Sequence, residues 1–108
     1  MKKINEKSVI RGEFSSRKVW IDGKELLPGP SQRLSNHSPD GFNWGYGGFG
    51  PAQFALALLL SFTDEAFALG HFQDFKWEII SRLPLSDFEL PVSDVRAWID
   101  SHSTAGPA

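Results

Sequence analysis

Phe42 to Ser61, FNWGYGGFGPAQFALALLLS, limits the fold of this chain more than any other stretch. Gly45, Gly47, Gly48 and Gly50 crowd into a short aromatic loop, and Pro51 follows them directly. Proline suits the first turn of a helix, because its φ is already near the helical value and its missing N–H has no intrahelical acceptor there. The run Ala52, Gln53, Phe54, Ala55, Leu56, Ala57, Leu58, Leu59, Leu60 is rich in strong helix formers. Only Gln53 and Ser61 interrupt its apolar surface, and a helix apolar all round belongs inside a core. The sequence therefore predicts a buried helix from Pro51 to Phe62 with a glycine loop at its N-terminus.

The segments before it read as strands. Val9–Phe14 and Lys18–Ile21 carry β-formers, Asp22-Gly23 is a strong two-residue hairpin signal, and Lys24–Leu27 is the returning strand. Pro28-Gly29-Pro30 ends the ladder, Ser31–Asn36 is expected as an extended edge, and HSPDG at 37–41 as a turn leading to strand residues Phe42–Trp44. After the buried helix, Thr63 or Asp64 is placed to cap a second one. Its apolar positions Ala66, Leu69, Phe72, Phe75, Ile79, Ile80 and Leu83 recur at threes and fours until Pro84 stops it. Gly70 weakens that helix and suggests close packing against another backbone. Phe88–Leu90 is a short strand, and Ser93 caps a last helix to about His102 that buries Val95, Trp98 and Ile99. These elements predict one α+β domain over 1–108, a small N-terminal antiparallel sheet with helices on one face. Residues 1–7 and 103–108 are expected to be disordered tails.

Several residue groups invite a functional reading. Gly45-Tyr46-Gly47-Gly48-Phe49-Gly50 matches G-x-G-x-x-G and opens a helix, so its backbone N–H groups could receive a phosphate. Trp44, Gly45, Tyr46, Gly47, Gly48, Gly50 and Gln53 are then the candidate ligand contacts, with the aromatics stacking on a base. The βαβ context of a dinucleotide site is missing, and no Gly-Lys-Ser/Thr follows. A tight connection with aromatics packed against bare backbone explains the glycines equally well. His37, Ser38 and Asp40 group a base, a hydroxyl and an acid, but Ser, Pro, Asp and Gly also build turns. His71, Asp74 and Glu78 share helical spacing without a recognisable metal motif, beside the solvent-type residues Gln73, Lys76 and Arg82. Trp77, between Lys76 and Glu78, falls on the polar side of its helix, where an exposed indole would mark a partner surface.

The formal charge of −2 argues against nucleic-acid binding, although it is unevenly spread. Residues 1–20 hold six Lys or Arg against Glu6 and Glu13, a balance of +4; residues 63–102 hold eight acids against three bases, a balance of −5. The absence of cysteine excludes disulfides and thiolate metal sites and fits a cytoplasmic protein. Phe54–Leu60 is the longest apolar run and falls well short of the ~20 residues of a membrane span. Neither a cofactor nor a metal nor a membrane is implied, and the chain is expected to be soluble.

GYGGFGPAQFALALLL is similar to the G-Y-x-G-x-G-P-A-Q-L-A-L-A-L signature of a family of small uncharacterised proteins found in bacteria, archaea, phages and plasmids. HFQDFKWEIISRLP and VSDVRAWIDS resemble that family's later helices, so the likeness spans about residues 18–102. The chain departs mildly at Phe49 and Phe54, positions where the resemblance leads us to expect Ser and Leu. The resemblance implies a setting on mobile elements and supplies no reaction. No catalytic constellation stands out among the residues, so the expectation is a non-enzymatic protein-interaction module; by analogy with small phage proteins in the setting that the resemblance implies, it acts on a host protein complex as an inhibitor of host defence. The alternative is a nucleotide- or phosphate-binding protein that uses the Gly45–Gly50 loop.

Overall fold

A computed structural model describes residues 8–103. Strands β1 (Val9–Glu13), β2 (Lys18–Ile21) and β3 (Lys24–Glu25) come first, followed by helices α1 (Gly29–Leu34), α2 (Phe49–Phe62) and α3 (Glu65–Glu78). A single 3-10 turn at Ile80–Arg82, strand β4 (Phe88–Pro91) and helix α4 (Val92–His102) complete the chain. The sheet is antiparallel throughout, in the order β3-β2-β1-β4, so the last strand returns to pair beside the first. This is an α+β fold.

The β2–β3 hairpin turns on Asp22 and Gly23, whose φ values of 52° and 81° are those a two-residue turn of this hand requires. Strand alternation then sorts the sheet into two faces. Ile10, Val19, Ile21, Phe88 and Leu90 are buried on one, while Arg11 lies between its cross-strand partners Trp20 and Glu89 on the other. Gly12 shares the inner face because the Phe88 ring needs its space; a Cβ there would stand 2.1 Å from Phe88 Cε2.

Helix α2 is the centre of the molecule. Every residue from Pro51 to Leu59 is buried. Phe54 holds Phe42, Trp44 and Phe88 at ring-centroid distances of 5.4, 5.9 and 5.9 Å, which ties the helix to the sheet. On its other side α2 packs along α3, reached through a link of only Thr63 and Asp64. Asp64 is the cap of α3, its Oδ1 accepting from Phe67 N at 2.9 Å. Among the described residues no helix is long and apolar enough to cross a membrane.

The structure departs from the expected elements at several points. Ser31–Leu34 belong to α1, a helix that Pro30 opens, rather than to an extended edge. Phe42–Trp44 form no strand, α2 begins at Phe49, and β3 stops at Glu25. Helix α3 closes at Glu78 and passes into the 3-10 turn before Pro84. Its buried positions are Ala68, Phe72, Phe75 and Lys76, so Ala66 and Leu69 face solvent. A Cβ on Gly70 would meet nothing within 4 Å, so no backbone packs there. Pro91, not Ser93, precedes the first turn of α4. Of the tails expected at 1–7 and 103–108, residues 1–7 and 104–108 lie outside the described residues, whereas Ser103 is bonded to α4 through its Oγ, 2.9 Å from Ile99 O.

Candidate functional site

The glycine loop is held by one backbone bond at its start, Gly45 N to Ile80 O at 3.1 Å. Gly45 has φ +87°, a conformation costly for any other residue, and Leu85 lies so close that an added Cβ would be 2.5 Å from its Cδ2. The indole of Trp77 covers Gly47, where a Cβ would approach Cη2 and Cζ3 to 2.2 Å. The Tyr46 ring and Asn43 fill the corresponding spaces at Gly48 and Gly50. The glycines therefore seat side chains, one after another, on bare backbone.

Those side chains remain largely in solvent. Tyr46 is 46% exposed, Phe49 76%, Trp77 56% and Leu85 63%. Trp77, Tyr46 and Leu85 each rest on a glycine of the same loop, and Phe49 follows that loop, so exposed apolar side chains gather around the start of α2. Tyr46 is steadied by Asn43, whose Nδ2 donates to its hydroxyl at 3.2 Å. The Lys76 ammonium lies 4.3 Å from the centroid of the Trp77 ring. Gly48 caps α2 without a side-chain acceptor. Among the described residues the amides of Tyr46, Gly47, Gly48, Phe49 and Gly50 have no hydrogen-bond partner.

Two expected ligand contacts are consumed by the fold instead. Trp44 is fully buried, and its Nε1 donates to Ser86 O at 2.9 Å. Gln53 is also fully buried. Its Oε1 accepts from His37 N and Ser38 N at 2.7 and 2.9 Å, while its Nε2 donates to Ser31 Oγ at 2.9 Å and Ser35 O at 3.2 Å. That amide clasps the segment from α1 to the HSPDG turn onto α2 and has no polar atom left for a ligand.

The other groupings resolve into structure. His37 bonds Ser35 Oγ at 3.1 Å and packs on Phe72 at 4.9 Å; neither Ser38 nor Asp40 offers it a side-chain bond. Ser38 O receives Gly41 N at 3.2 Å, the closing bond of a turn. His71 stacks on Phe67 at 4.2 Å, and Glu78 Oε1 accepts from Trp98 Nε1 at 2.8 Å. Among the described residues no three His, Asp or Glu side chains stand together as metal ligands.

Sequence reasoning missed Leu85, Asn43 and Lys76. Leu85 follows a helix-stopping proline, and nothing local signals that it folds back onto Gly45. Lys76 reads as a solvent residue by type, yet it is only 8% exposed.

The chain matches the family of unknown function DUF6166 over residues 10–101, and it belongs to that family. No curated protein and no solved structure matches it.

Proposed function

We propose that this chain is a non-enzymatic protein-interaction module whose docking surface is the patch of Tyr46, Phe49, Trp77 and Leu85. One observation carries the reading: Tyr46, Trp77 and Leu85 stay exposed although each is seated on a glycine of one loop, and Phe49 at the end of that loop is more exposed still. Exposed aromatics anchored on a rigid support have the composition of binding hot spots, where Trp and Tyr supply large contact area at little entropic cost. The loop is anchored at its start by the bond to Ile80 and leads directly into the most buried helix. The partner class we assign is a host protein complex in the cytoplasm, in the phage and plasmid setting that the resemblance to the GYxGxGPAQLALAL-type signature implies. Inhibition of host defence is the process we assign to it.

The test pairs Trp77→Ala with Phe49→Ser, each confirmed as folded by circular dichroism. Affinity capture from host lysate with wild-type protein should recover a defined complex, and both variants should lose it by at least about tenfold, the loss of a typical hot spot. Equal recovery by all three proteins would remove the patch from the interface.

The unpartnered amides at the start of α2 favour a second reading, a phosphate or nucleotide ligand. Saturation at 100 times the dissociation constant would stabilise the fold by about 2.7 kcal/mol, a shift of several degrees. A flat thermal-shift screen over nucleotides, cyclic nucleotides and NAD-derived compounds would eliminate it.

A further inference from the structure

Lys76 is the one feature of the patch that the interaction reading does not use. Although nine-tenths of it is withdrawn from water, among the described residues it makes neither an ion pair nor a hydrogen bond. Its Nζ still reaches solvent, since no polar side-chain atom among those residues is both fully buried and unpaired. The ammonium therefore emerges at the Trp77 indole, its only interaction among the described residues.

The carboxylates nearest in sequence do not serve it. Glu78 accepts from Trp98 Nε1, and Asp74 lies two residues back, a spacing at which helical side chains do not face each other. A ring face holds an ammonium by about 0.5–2 kcal/mol, and with the stem buried and the head at the surface its solvent side stays open to a carboxylate. Gly47 lies against the same indole, and the unpartnered amides from Gly47 to Gly50 mark the positive end of the α2 dipole. The two observations are independent, and both favour negative charge beside an aromatic surface.

We propose that the occupant of the patch is an acidic linear peptide segment of a partner protein. A partner Asp or Glu carboxylate meets Lys76 Nζ, and flanking apolar or aromatic side chains lie on Trp77, Tyr46 and Phe49. The proposal rests on the protein-interaction reading and names its partner's chemistry. A peptide suits the site better than a mononucleotide. The loop glycines are already covered by the chain's own groups, so their backbone is not free to wrap a mononucleotide.

The experiment selects a random peptide display library on the wild-type protein and on Lys76→Met, which keeps the apolar stem and removes the charge. Thermal melting verifies that the variant folds, and Lys76→Arg serves as the charge-retaining control. Wild type should enrich Asp or Glu flanked by aromatic residues. The best peptide should bind it about tenfold more tightly than the same peptide carrying Asn or Gln, as expected for a close charge pair. Lys76→Arg should keep that preference and Lys76→Met should lose it. Aromatic peptides without acids, bound by wild type and lost in Trp77→Ala, would overturn the acidic partner and leave the interaction reading standing. No enrichment at all would overturn the linear peptide, and the capture experiment above would then decide the interaction reading by itself. Inorganic phosphate or ATP binding wild type more tightly than any peptide, and failing on Lys76→Met, would assign the charge to a phosphate ligand and likewise overturn the proposal.

Discussion

Gln53 shows how much one side chain can settle at the residue scale. A glutamine inside an apolar helix reads as an intrusion, and beside a glycine loop it reads as a ligand contact. In the structure its amide satisfies two backbone donors and two acceptors of the segment that wraps over α2. Gln53→Leu conserves much of the volume but strands His37 N and Ser38 N, each at about 1–3 kcal/mol where water cannot replace the bond. The expected loss is on the order of 2–4 kcal/mol in urea unfolding, with the slope unchanged. A loss below about 0.5 kcal/mol, the range of an ordinary surface substitution, would mean that water takes over Gln53's role. Nothing local distinguishes a structural from a functional glutamine here, because its partners lie 15 to 22 residues away.

The elements were legible in proportion to how local their causes are. Asp22-Gly23 sets its hairpin through backbone conformation alone, and the apolar run of α2 requires burial whatever its neighbours, so both were readable. Helix α1 was not: its six residues contain Gly and Pro, and Ser31 is held by contacts to Pro28 O and Gln53 that no periodicity reveals. For α3, threefold and fourfold spacing placed Phe72 and Phe75 correctly but chose Leu69 over Ala68. The expectation of tight packing at Gly70 came from residue type, and the space beside it is open. Gly70→Ala should therefore stabilise the protein by about 0.5–1 kcal/mol, read as a rise in melting temperature of several degrees. A fall would show that another molecule or segment approaches that face. The candidate surface was half visible: the glycine loop and Trp77 stood out separately, while their contact across the fold did not.

At the scale of the molecule, α2 touches both the sheet and α3, so its helical state has no independent stability to fall back on. Hydrogen exchange should find the amides of Phe54 to Leu59 protected to the level of global unfolding, with those of α1 opening earlier through local motion. Equal protection in both would make α1 part of the same cooperative unit. The four tryptophans carry a further consequence. Trp44 and Trp98 are buried and donate to Ser86 O and Glu78, Trp20 lies on the open face of the sheet, and Trp77 rests on the glycine loop. Trp77 is the most solvent-accessible of these indoles and the one inside the patch, so collisional quenching by iodide or acrylamide would act on its emission first. A partner that settles on the loop would shield that fraction and leave the rest unchanged. The protein thus carries its own optical reporter of occupancy, placed where binding is expected and needing no label.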